Sequence, residues 1–135
     1  AAPVEGTTNG VFVVDGSFAG IGMVDKEPIT IYVEKGLATK IIGGPKAKQL
    51  VKMLAPYGKD GRNIAEIGIG TNDKAKLSGL ILEDEKVMGT VHIALGDNKS
   101  MGGNINVPIH LDGVIKKPTV YFDGKIIMKK GKLLV

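Results

Sequence analysis

The sequence predicts an α+β fold that is mainly antiparallel β, open or curled into a barrel-like sheet, with one principal helix near residues 45–57. Three observations carry this prediction. Short aliphatic runs recur between Gly-containing turn signals, as strands joined by tight turns do. A single segment, residues 45–57, carries the helical period. Glycine supplies 20 of the 135 residues and aromatics only 4%, a composition of many turns and an aliphatic core.

The elements follow in chain order. Val11, Phe12, Val13 and Val14 read as a strand closed by Asp15-Gly16, a hairpin signal. Residues 28–33, stopped by Lys35-Gly36, and residues 39–42, stopped by Gly43-Gly44, continue an antiparallel meander. Ala47, Leu50, Val51 and Leu54 then recur at i, i+3, i+4 and i+7. Pro45 suits the first turn of that helix, where its missing N–H has no partner to lose, and Gly58 suits the position beyond its end. Residues 63–70 and 90–95 read as strands. Between them Glu83-Asp84-Glu85-Lys86 makes a turn or short helix, with Asp84 and Glu85 as capping groups or as an acid/base pair. A loop over 99–104 precedes a strand at 107–113. Residues 119–122 and 125–128 flank Asp123-Gly124, the clearest hairpin, and Leu133-Leu134-Val135 forms a last strand. No linker, repeat or low-complexity tract divides residues 1–135. They read as one domain of a size that buries roughly two-thirds of its unfolded surface.

Composition removes several function classes. With no cysteine there is no disulfide framework, zinc ribbon, thiol nucleophile or thiolate-held cluster. The net charge is +4, yet every basic residue but Arg62 is a lysine, and the lysines are scattered. That is a solvated surface, not a nucleic-acid footprint, and three Phe and three Tyr make no stacking platform. Lysine excess without cysteine fits thermophile usage. No apolar run approaches the length of a membrane span. The start, Ala1-Ala2-Pro3-Val4-Glu5, has no signal region, so the expected compartment is the cytoplasm.

The chemistry-bearing residues are few. Alternate side chains of a strand point to opposite faces, so His92 opposes Val91, Ile93 and Leu95, and Glu66 opposes Ala65, Ile67 and Ile69. In His110-Leu111-Asp112 a spacing of two puts imidazole and carboxylate on one face. Glu66, His92, His110 and Asp112 thus offer neutral nitrogen and anionic oxygen, the donors of a metal site. The residues alone also allow hydrogen-bonded structural histidines. Gly68-x-Gly70 lacks the rest of a dinucleotide fingerprint, and Ser17, Ser78 and Ser100 sit in no nucleophile elbow.

Four blocks carry a resemblance: residues 64–72, residues 82–86, residues 89–96, and His110-Leu111-Asp112. They resemble the thermophilic leucyl metalloaminopeptidase family, of the aminopeptidase T and aminopeptidase S type, in its C-terminal portion. The resemblance implies a metal-dependent hydrolase domain, a metalloprotease that removes N-terminal residues from peptides. It implies two divalent ions (zinc, cobalt or manganese), with Glu66 as base and metal ligand and His92, His110 and Asp112 as further ligands. It also implies a peptide substrate and a homo-oligomer, a dimer or larger. The two ions would lower the pKa of a bridging water towards about 7. The family's upstream glutamate ligand is absent, so the isolated chain is expected to have little peptidase activity. Where family aminopeptidases carry a tyrosine after the histidine, this sequence has Asn98, a possible oxyanion or substrate contact.

Two other readings stand beside this one. The same region resembles 2,5-dihydroxypyridine ring-cleaving dioxygenases, in which His92, His110 and Asp112 would hold one Fe(II) as a two-histidine, one-carboxylate set. The loss of the tyrosine slightly favours that reading, while Glu66 and the set of blocks favour the peptidase. The third is a non-catalytic structural or association domain.

Overall fold

The computed structural model describes residues 1–134. Among the described residues there are three antiparallel sheets and one main helix, an α+β architecture, and the sheets stay open instead of closing into a barrel. The first sheet has the order β1 (Gly10–Val14), β4 (Ile29–Glu34), β5 (Leu37–Ile42). Along β4 alternation buries Ile29, Ile31 and Val33 and leaves Tyr32 and Glu34 outside. Lys35 and Gly36, at φ 49° and 79°, make the turn into β5 with both central residues left-handed, the twist that suits a two-residue hairpin.

Helix α1 (Pro45–Leu54) packs over this sheet. Ala47, Leu50 and Leu54 are buried and Val51 half-buried, as the i, i+3, i+4, i+7 spacing requires. Full burial of each leucine is worth about 1.5–3 kcal/mol. The Glu27 carboxylate accepts the backbone N–H of Lys46 and so serves the first turn, which has no acidic residue of its own. A 3-10 turn over Ala55–Tyr57 and a single turn, α2 (Gly58–Gly61), complete the helical region expected at 45–57.

The second sheet carries the candidate site residues. Its order is β3 (Gly22–Met23), β2 (Ser17–Phe18), β8 (His110–Lys116), β7 (Thr90–Gly96), β6 (Ile64–Ile69). Phe18, Leu95, Leu111 and Ile64 join the core with Leu50 and Leu54. The strand expected from residue 107 starts only at His110, since Pro108 has no N–H for a ladder and Ile109 N bonds back to Val107 O. The third sheet is β9 (Val120–Phe122), β10 (Lys125–Lys129) and β11 (Lys132–Leu133). Asp123-Gly124 forms its expected turn, with φ of 49° and 80°. Val135 of the expected last strand lies outside the described residues.

One hairpin signal is corrected. Asp15-Gly16 does not fold β1 onto β2: β1 pairs with β4, and β2 with β3 and β8. The dipeptide instead crosses between sheets. Asp15 Oδ1 accepts Lys116 N at 2.8 Å and Gly16 N donates to Val114 O at 2.9 Å, so both serve β8.

Asp84, at the end of the short helix α3 (Ile81–Asp84), is fully buried and anchors the loop before the helix instead of capping it. Its carboxylate accepts Ser17 Oγ–H and Ser78 N–H at 2.7 Å each and Gly79 N–H at 2.9 Å. These bonds fasten the 70–89 connection to β2. Asp84→Ala is expected to lower stability by about 3 kcal/mol, because three donors lose a charged acceptor at once. Urea unfolding measures it; an unchanged midpoint would show that the anchor does not matter. No helix among the described residues is long and apolar enough to cross a membrane.

Candidate metal centre

The register of three strands builds the site. Glu66 lies opposite Ala94, which lies opposite Asp112; Gly68 opposes His92, which opposes Val114; Gly96 opposes His110. With alternating side chains, Glu66, His92, His110 and Asp112 therefore share one face, and Leu95 and Leu111 point to the other. A bulge makes this possible on β6. Ile64 pairs with Leu95 and Glu66 with Ala94, so the extra residue between them lets Ile64 bury in the core while Glu66 faces the site.

The four side chains meet. Glu66 Oε2 is 3.2 Å from His110 Nε2, Glu66 Oε1 is 3.5 Å from His92 Nε2, and Asp112 Oδ2 is 3.4 Å from His110 Nε2. Donor atoms of Glu66, His92 and Asp112 all lie within 4.8 Å of one another. His110 Nδ1 sits 2.7 Å from the Asp97 carbonyl, to which it donates, so Nε2 faces the carboxylates. His92 lies over Gly68: a Cβ built there would be 2.2 Å from its Cε1 and Nε2.

Do these residues fit a metal ion? His92 Nδ1 and Asp112 Oδ1 are buried without a hydrogen-bond partner among the described residues. Buried polar groups normally have one. Two orphans in a cluster of two imidazoles and two carboxylates are accounted for by a cation, and the donor types suit a divalent one. The fit is good.

Charge within the cluster follows from its geometry. The hydrogen bond to Asp112 raises His110 to about 9; burial opposes the rise, and the Asp97 carbonyl and the charges of Asp112 and Glu66 support it. Burial pushes Asp112 up, but His110 and His92 outweigh it and hold the carboxyl below its ordinary value. Because the folded value for His110 lies above the ordinary 6.5, its charged form stabilises the metal-free protein fully below pH 6.5. That contribution is lost as pH rises through about 9. Metal binding must displace the same proton. Affinity for Co(II) is therefore expected to rise about tenfold per pH unit across that window. A titration showing no pH dependence there would remove His110 from the site.

Asn98, expected as an oxyanion or substrate contact, has both polar atoms occupied in the loop beside the site. It is fully buried, its Nδ2 donates to Glu5 Oε1 at 3.1 Å, and its Oδ1 accepts Ile105 N–H at 3.0 Å. Both polar atoms serve the loop. Sequence reasoning missed Gly68 and Asp97; the available signal for Gly68 was a glycine facing a histidine on the neighbouring strand.

Comparison with known proteins decides the family. A family model described as NicX, 2,5-dihydroxypyridine 5,6-dioxygenase, matches residues 1–135. The chain belongs to this family. It is 27% identical over 119 residues to a 2,5-dihydroxypyridine 5,6-dioxygenase of Pseudomonas putida KT2440, a match covering 81% of this chain and 34% of that protein. The solved structure of 2,5-dihydroxypyridine dioxygenase from the same organism superposes with a TM-score of 0.88 at 26% identity, over 98% of this chain and 42% of that one. The chain thus spans about a third of the length of the curated relative it matches.

This overturns the aminopeptidase resemblance. The leucyl aminopeptidase, hydrolase and metalloprotease readings, with the peptide substrate they implied, give way to membership of a NicX dioxygenase family. The physical reason is that the shared blocks consist of metal donors and the strands that hold them, which do not specify the reaction. The two-ion centre loses its support as well: it rested on the aminopeptidase resemblance, and among the described residues one group of three, Glu66, His92 and Asp112, could hold an ion.

Proposed function

We propose that this chain is the iron-binding part of a ring-cleaving dioxygenase acting on a dihydroxylated pyridine. His92, His110 and Asp112 would hold one Fe(II), the two-histidine, one-carboxylate ligand type that leaves positions open. When bound, Fe(II) supplies the redox chemistry that lets dioxygen react with the ring. The chain's own residues do the rest. Asp97 and the sheet register orient the two imidazoles, and the carboxylates balance the cation. Glu66, beside both histidines, is placed to take a proton from a ring hydroxyl as the substrate binds.

The observation that carries this reading is the group of Glu66, His92 and Asp112, with His110 against both carboxylates and two orphaned buried atoms, in a member of a dioxygenase family. The test has two arms. Anaerobic loading followed by elemental analysis should give one iron per chain. The full natural protein should then take up dioxygen with 2,5-dihydroxypyridine and place label from ¹⁸O₂ in an opened ring. Two zinc-type ions per chain, or a ring left intact by the iron-loaded protein, would overturn the reading.

A further inference from the structure

We propose that Asp97 is a positioning residue for the metal centre, and that the peptide unit between Asp97 and Asn98 sets the direction of His110. The proposal rests on reading the four donors as a metal centre, and not on ring cleavage. That peptide unit is held at both ends. Its carbonyl accepts His110 Nδ1–H at 2.7 Å, and its N–H, from Asn98, donates to Ile105 O at 3.1 Å. The Asp97 side chain locks the unit in place. Its Oδ1 accepts Val107 N–H at 3.2 Å, while Asp97 N donates to Ile109 O at 2.8 Å. The connection from β7 to β8 is therefore clamped at residues 105, 107 and 109 by two consecutive residues that leave β7.

The consequence for the site is directional. An imidazole that donates Nδ1–H to a fixed carbonyl presents Nε2 as its lone-pair atom, and a ring so held cannot swing away from Glu66 and Asp112. Without the Asp97 carboxylate, the buried Val107 N–H has no acceptor, the strand entry relaxes, and the carbonyl loses its aim. Asn98 and Glu5 reinforce the same loop from the other side, through Ile105 N and Asn104 N. Asp97 itself touches neither the other donors nor, on this reading, the substrate.

The test uses Co(II) as a spectroscopic probe and Zn(II) as a diamagnetic one. Asp97→Ala should weaken Co(II) binding by about 10–100-fold, the range for a lost orienting partner, and change the visible absorption of the bound ion. Asp97→Asn keeps an acceptor for Val107 N–H and should bind within about threefold of the parent, with its spectrum. Nitrogen-15 NMR of the Zn(II)-loaded parent should show His110 protonated on Nδ1 and coordinated through Nε2, a readout independent of how any variant folds. Asp97→Ala binding as the parent does, Asp97→Asn as impaired as Asp97→Ala, or coordination through Nδ1 would each overturn the proposal. A parent chain that binds no Co(II) would instead defeat the metal-centre reading beneath it.

Discussion

Replacing His110 with alanine is expected to lower the affinity for Fe(II), or for Co(II) in its place, by more than about 100-fold. Loss of an outer partner that only orients a ligand costs about 10–100-fold, so loss of the ligand itself should exceed that range. His110 is the donor nearest two carboxylates, 3.2 Å from Glu66 and 3.4 Å from Asp112. Its removal leaves those two anions facing each other across a partly buried space, which a metal-free chain tolerates poorly. The variant should therefore also unfold at a lower temperature than the parent. Glu83→Gln is the matched control. Glu83 is exposed and accepts only a long 3.4 Å bond from Lys76 N, so its variant should bind the ion as the parent does. Isothermal titration of both variants measures the difference. Equal affinities for the His110 variant and the parent would remove this histidine from the centre.

Much of the architecture was legible because local chemistry and global fold agree. The stripe of Ala47, Leu50 and Leu54 and the dipeptide Asp123-Gly124 each specify a single local solution, and tertiary packing uses that solution. Asp15-Gly16 has the same local signature as Asp123-Gly124 and ends differently. Its partners lie on β8, about a hundred residues away, and no local pattern reports them. The candidate site was legible for a related reason. Strand alternation is a strict period, so placing Glu66, His92, His110 and Asp112 on one face needs only correct strands and antiparallel pairing.

The reaction was harder to read than the site. Imidazole and carboxylate donors on neighbouring strands describe what binds an ion, and hydrolases and oxygenases both need that. The informative residue was Asn98, standing where an aminopeptidase tyrosine was expected. In the structure it is fully buried and serves the loop beside the site. What Asp97 does was invisible for another reason: its backbone carbonyl is the group that meets His110, and every residue has one.

Gly68→Ala should abolish tight metal binding while leaving the fold standing, although glycine and alanine differ by one methyl group. A Cβ at position 68 would lie 2.2 Å from Cε1 and Nε2 of His92, where ordinary carbon contacts are about 3.5–4.0 Å. One partner must therefore move by more than 1 Å. The backbone at 68 is held by pairing with His92 on β7, so the imidazole is the part that yields. Gly68 has no positive φ, and alanine is thus free of backbone strain there. The cost is steric, about 1–3 kcal/mol of overpacking, which a cooperative domain survives. Displacing a reacting or binding group by about 1 Å costs on the order of 100-fold, and the proposed ion needs His92 together with His110 and Asp112. A double-variant cycle separates the two effects. In a His92→Ala background the added methyl has no ring to strike, so Gly68→Ala should then cost almost no stability, and metal binding should stay lost. If Gly68→Ala alone binds Co(II) with the parent's affinity and spectrum, the imidazole does not depend on the bare strand beneath it, and His92 is not the ligand that this geometry makes it.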